Sequence, residues 1–166
     1  MTYDALVSLL DYHYWARDRL LDALRALPPE DYTSALGGSY GSIRDTVVHI
    51  YVAERLWHAR WQGISPTEPE PPDRFPDVQS LADAWSDLER RMRTMLREMP
   101  EDAITRVIDY RRLNGEAASS VFWHMVQHVV NHASYHRGQV TTLIRQVGAE
   151  PPESTDLITY YRQRQG

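Results

Sequence analysis

The stretch "HVVNHASYHRGQ", residues 128–139, sets His128, His132 and His136 at a strict spacing of four. That spacing is a helical repeat, and the surrounding apolar pattern predicts a helix over about 119 to 147, ended by Gly148 and the Pro151-Pro152 pair. With His136 as origin and about 100° per residue, Phe122, Met125, Val129, Val140, Leu143 and Val147 fall within about 40° of it. His136 therefore sits in the middle of an apolar stripe. Each step of four overshoots a turn by about 40°, which puts His132 beside the stripe's centre, His128 at its margin and His124 farther out. The ladder winds out of the core.

Outward from this helix the chain reads as more helices. Leu6, Leu9, Leu10, Leu20, Leu24 and Leu27 form one stripe over residues 4–27, which Pro28-Pro29 stops. A second helix begins near Ser42, where "SIRD" has the form of a capping box, and continues through Ile50, Ala53, Leu56, Trp57 and Trp61. The stretch 63–77, "GISPTEPEPPDRFPD", holds five prolines and reads as a loop. Val78, Leu81, Trp85, Leu88, Met92, Met95 and Met99 then mark a seam along a third helix over 78–99. Residues 103–117 carry β-branched side chains and lead into "LNGE", whose Asn-Gly pair favours a tight turn. The tail "STDLITYYRQ" has room for a short helix. Together these elements predict an all-α four-helix bundle over 1–166 as a single domain. It has a long third connection with room for a short hairpin, and a short C-terminal helix.

Composition narrows the chemistry. The chain has 166 residues, 42% hydrophobic and 25% charged, which fits one ordinary globular domain. It has no cysteine, so a metal must be held by His, Asp or Glu and no thiol nucleophile is available. All 18 basic residues are arginine, which excludes lysine Schiff-base chemistry and a Walker-type lysine. A net charge of −5 leaves no basic footprint for nucleic acid. No apolar run reaches the roughly 18 residues of a membrane span, and the acidic N-terminal stretch lacks the basic flank of a secretory signal. The expectation is a cytoplasmic protein with a small-molecule partner and no nucleic-acid or membrane partner.

Two adjacent imidazoles on an apolar face are costly to desolvate and repel when protonated. A metal ion removes both problems, and imidazoles at i and i+4 project toward one point. The third ligand should come from a facing helix, and His49 is the candidate, because Val52, Ala53 and Leu56 share its side of the second helix. His58 lies about 180° away and is expected to face solvent. Three histidines from two helices leave a coordination position for water or substrate. The competing interpretation is a buried hydrogen-bonded polar cluster. His128 reads as an outer contact of the metal site or plain surface. His13 and Arg17 interrupt the first leucine stripe, either lining the mouth of a pocket for an anionic substrate or, for Arg17, packing with its head turned outward. Glu54 is read as an exposed ion pair, with orientation of a ligand or action as a base as the alternatives.

The segments "VVHIYVAERLWHARW" (47–61), "HVVNHASYHRGQV" (128–140), "DLITYY" (156–161) and "YHYWARDRLLDAL" (12–24) resemble the DinB/YfiT-like family of bacterial four-helix-bundle proteins. The family is unrelated to the DNA polymerase that shares its name. The resemblance implies a divalent metal on three histidines, which correspond to His49, His132 and His136, an open coordination site at one end of the bundle, and often a homodimer. Relatives include bacillithiol S-transferases and mycothiol-dependent isomerases. It thus implies transfer of a low-molecular-weight thiol to a small electrophile, with metal-dependent hydrolysis or a non-catalytic metal-binding role in stress response as alternatives. Imidazole ligands suit zinc, nickel, copper and iron alike. Arg17 or Arg137 is the candidate for steering an anionic group of the substrate or thiol. Asp18 stands where relatives often carry Asn.

Overall fold

The structure, a computed structural model, describes residues 1–165. Four long helices dominate it: α1 (Tyr3–Arg25), α3 (Ile43–Trp61), α4 (Val78–Glu98) and α5 (Phe122–Gln146). Two shorter ones, α2 (Pro29–Thr33) and α6 (Leu157–Gln165), and an antiparallel hairpin of β1 (Val107–Arg111) and β2 (Ala117–Val121) complete the described elements, with short 3-10 turns between them. α5 packs against α3 and α1, and α4 against α1 and α3, so the long helices close a cycle.

The starts of these helices are written into single side chains. Thr2 Oγ1 accepts the Ala5 N–H at 3.2 Å, Ser42 Oγ the Asp45 N–H at 3.0 Å, and Asp77 Oδ1 the Ser80 N–H at 2.7 Å. Each such cap stabilises its helix by about 1 kcal/mol. α5 ends as its sequence requires: Gly148 turns to φ 79°, and the Ala149 N–H reaches back to the Ile144 carbonyl at 3.1 Å.

Two boundaries differ from the sequence expectation. α1 ends at Arg25, two residues short of the expected Leu27, and Pro29 opens α2, because proline needs no N–H in a first helical turn. The fourth long helix starts at Phe122 rather than near 119, since Ala117–Val121 pair with β1 from Val107↔Val121 to Arg111↔Ala117. Gly115, at φ 83°, closes the hairpin by donating to the Arg112 carbonyl at 2.9 Å. The fold is mostly helical with this small sheet set into the connection before α5.

The apolar core falls into two clusters along the long helices. Leu24, Val48, Leu81, Trp85, Val140 and Ile144 belong to one, and Leu10, Trp61, Met92, Phe122 and Val126 to the other. On α1 the passage from one to the other carries the buried polar residues His13 and Arg17. Among the described residues no helix is long and apolar enough to cross a membrane.

Candidate metal centre

α5 presents His132 and His136 one turn apart, and α3, packed against it, presents His49 opposite them. One ligating atom from each lies within 4.8 Å of the other two. The Nε2 atoms of His49 and His132 are 2.9 Å apart, and the His136 ring centre is 4.6 Å from that of His49 and 4.4 Å from that of His132. His136 is buried, as its place in the stripe required; the other two are half-buried.

Neighbouring groups set how these rings point. His136 Nδ1 donates to Gln139 Oε1 at 2.7 Å, which leaves the Nε2 lone pair of His136 free for an ion. Tyr40, in the loop before α3, places its hydroxyl 2.9 Å from His49 Nε2. Its ring stacks on His49 at 4.2 Å and meets His136 edge-on at 5.5 Å. Burial, with His136 adding to it, pulls His49 from 6.5 down to about 4. Burial, then His136, His49 and His128, pulls His132 from 6.5 to about 3. Both imidazoles are therefore neutral at pH 7, the state that binds metal. Among the described residues the group contains three imidazole donors and no carboxylate, a set that fits a divalent transition metal with a position left over.

The remaining polar residues are placed as follows. His128 is exposed, outside the three-histidine group, with its ring centre 5.8 Å from that of His132 and 5.5 Å from that of Trp57. His58 does not face solvent. It is 5% exposed, because α3 is covered by α4 as well as by α5. The same enclosure overturns the exposed ion pair expected for Glu54, which is fully buried and accepts from Tyr14 Oη at 2.7 Å, Trp85 Nε1 at 2.6 Å and His13 Nε2 at 2.9 Å. Burial alone would raise its carboxyl; the charge and hydrogen bond of His13, with the Trp85 and Tyr14 hydrogen bonds, outweigh burial and hold it below the usual range.

His13 therefore lies in the core and not at a pocket mouth. Arg17 is buried rather than turned outward; it is engaged by Asp18 at 2.7 Å and Glu89 at 2.6 Å, with Tyr14 4.8 Å beneath its guanidinium. Arg137 is buried and donates to Tyr12 Oη at 2.9 Å and Ser134 Oγ at 2.8 Å.

Sequence reasoning missed Tyr40 and Gln139. Gln139 is three residues after His136, the spacing at which helical side chains meet, and that signal was available. Tyr40 lies among Gly37, Gly38 and Gly41, where no periodicity places a side chain.

A family model described as "DinB family" matches residues 1–165. Protein DinB of Bacillus subtilis (strain 168) is 22% identical over 165 residues, covering 95% of this chain and 95% of that protein. A crystal structure of a DinB-like protein from Bacillus cereus ATCC 10987 superposes with a TM-score of 0.74 at 18% identity, over 92% of this chain and 97% of that one.

Proposed function

The chain belongs to the DinB family, and from that premise we propose that it is a metal-dependent enzyme that transfers a low-molecular-weight thiol to a small electrophile, with His49, His132 and His136 holding the ion. The observation that carries this proposal is the convergence of three imidazoles, two of them held neutral, on one point between α3 and α5. His49, His132 and His136 would hold a zinc, nickel or iron ion, which would supply the Lewis acidity that lowers the pKa of a thiol bound beside it.

The chain's own groups then have distinct tasks. Gln139 fixes the His136 tautomer, and Tyr40 Oη stands beside the site as a donor to the departing group. In the transfer the S–H proton leaves to solvent, an S–C bond forms at the electrophile, and the leaving group departs with its bonding pair. Water in place of the thiol gives hydrolysis at the same site. We further propose that the four long helices form one four-helix-bundle domain that acts in the cytoplasm as a homodimer.

A second interpretation, a non-catalytic metal-binding or stress-response protein, is favoured by one observation. Tyr40 Oη, 2.9 Å from His49 Nε2, is an oxygen beside the three imidazoles that would serve as a further ligand to an ion held there. The test is elemental analysis of protein purified without a histidine tag, together with a thiol-transfer screen against simple electrophiles. About one ion per chain with transfer supports the enzyme, and full occupancy without transfer supports the second interpretation. Substoichiometric metal, with His136→Ala leaving stability unchanged, overturns both.

A further inference from the structure

Arg60, near the end of α3, is 7% exposed, and its Nε has no hydrogen-bond partner among the described residues. Arg17 and Arg137 also keep buried nitrogens without partners, Nη1 of the first and Nε and Nη1 of the second, but Arg17 is paired with two carboxylates and Arg137 donates to two hydroxyls, whereas the Arg60 side chain makes no hydrogen bond or ion pair among the described residues. Arg60 rests instead on aromatic rings, with its guanidinium carbon 4.9 Å from the Trp57 ring centre and 5.4 Å from that of Tyr110. Ring faces stabilise a guanidinium but accept none of its in-plane N–H groups. A desolvated cation with unused donors is costly unless an anion meets it.

Space for that anion lies beside it. Arg60 borders a cavity of about 460 Å³ whose lining includes Arg112, His124 and His128 and no carboxylate. Among the described residues the Arg112 guanidinium makes only an exposed pair with Glu116 at 3.3 Å. α5 also begins here, without a side-chain cap at its N-terminus, so the positive end of its dipole adds to the sign of the cavity. In a chain of net charge −5 this is a local reversal. The cavity leads toward the three histidines, for His128 lines it and its ring centre is 5.8 Å from that of His132.

We propose that this cavity is a subsite for a carboxylate of the small molecule processed at the three-histidine centre, received by the in-plane N–H groups of Arg60 with Arg112 at the rim. A single planar guanidinium matches a planar carboxylate in two parallel hydrogen bonds. The link to a processed molecule rests on the metal-dependent function above; the anion site itself does not.

The test uses succinate and inorganic phosphate as probes, titrated into metal-supplemented wild-type protein at constant ionic strength and followed by ligand-observed NMR together with the protein's own tryptophan indole N–H resonances. Succinate should bind saturably, weaken about tenfold or more in Arg60→Met, and weaken about threefold in Arg112→Gln on the exposed hairpin, with melting temperature and metal content unchanged. Equal affinity in wild type and Arg60→Met, or no saturable binding to wild type, overturns the proposal. Phosphate bound more tightly than succinate and lost in Arg60→Met overturns the carboxylate assignment. Should Arg60→Met not fold, Arg112→Gln and the Trp57 indole resonance decide: weakening and a succinate-dependent Trp57 shift support the subsite, and the absence of both overturns it.

His136→Ala separates this proposal from the metal reading. Succinate binding that survives His136→Ala and fails in Arg60→Met upholds the subsite even where no metal is found. Binding lost in His136→Ala but kept in Arg60→Met puts the carboxylate on the metal, overturning the subsite and leaving the metal reading intact.

Discussion

The Nε2 atoms of His49 and His132 lie 2.9 Å apart although 83 residues separate them in the chain. Two imidazole lone pairs at that distance repel unless a proton or a cation lies between them. His49→Ala should therefore abolish stoichiometric metal binding, with a loss beyond the roughly 100-fold that removing an outer contact costs. Competition against a chromophoric chelator measures it. Unchanged affinity in His49→Ala removes this histidine from the site.

In the proposed metal site Gln139 would act on the ion through His136, because its Oε1 accepts the Nδ1 proton at 2.7 Å. Gln139→Ala should keep the ion but weaken its binding about 10- to 100-fold, through loss of ring orientation. Gln139→Glu should bind at least as tightly as wild type, since a carboxylate raises the basicity of the imidazole it holds. The two substitutions thus have opposite signs, and a chelator competition series that shows the same sign for both rejects the orienting role.

Glu54 joins three helices: its carboxylate, on α3, accepts from His13 and Tyr14 of α1 and Trp85 of α4. Glu54→Gln keeps the volume but loses the charge and sets an amide donor against groups that already donate. We expect a destabilisation of about 3 kcal/mol by urea unfolding, with metal stoichiometry unchanged. Full stability in Glu54→Gln with lost metal would instead assign Glu54 to the metal site.

Much of this was legible in the sequence, and the failures share a cause. The four long helices follow from leucine, tryptophan and methionine spacing, and Ser42 marks the start of α3 in both sequence and structure. The hairpin was legible in "LNGE", but not where β2 hands over to α5, because Val121 and Phe122 suit either state. The convergence of His49, His132 and His136 was legible because each lies on or beside an apolar stripe. Glu54 and His58 were misread because an angle measured from one stripe assumes one buried face. α3 packs against α2, α4, α5 and β1, so its polar residues are enclosed too.

The depressed basicity of His49 and His132 makes the metal-free protein sensitive to acid. As pH falls through 6.5, these two imidazoles take up protons in the unfolded chain but not in the fold, where His49 stays neutral to about 4 and His132 to about 3. The unfolded state therefore binds more protons in this window, and stability rises with pH across it. Lowering the pH from neutrality should thus lower the melting temperature of the metal-free protein from about pH 6.5, with the His49 contribution exhausted near pH 4 and that of His132 near pH 3. His132→Asn removes one of the two groups, so its melting temperature should fall less steeply over the same range. Carboxylates add their own slope in acid, but they are common to both proteins and cancel in the difference. Metal-loaded protein should fall more steeply than either, because protons then displace the ion as well. Parallel melting curves for wild type and His132→Asn from pH 7 to pH 4, both free of metal, would show that His132 is not held neutral by the fold.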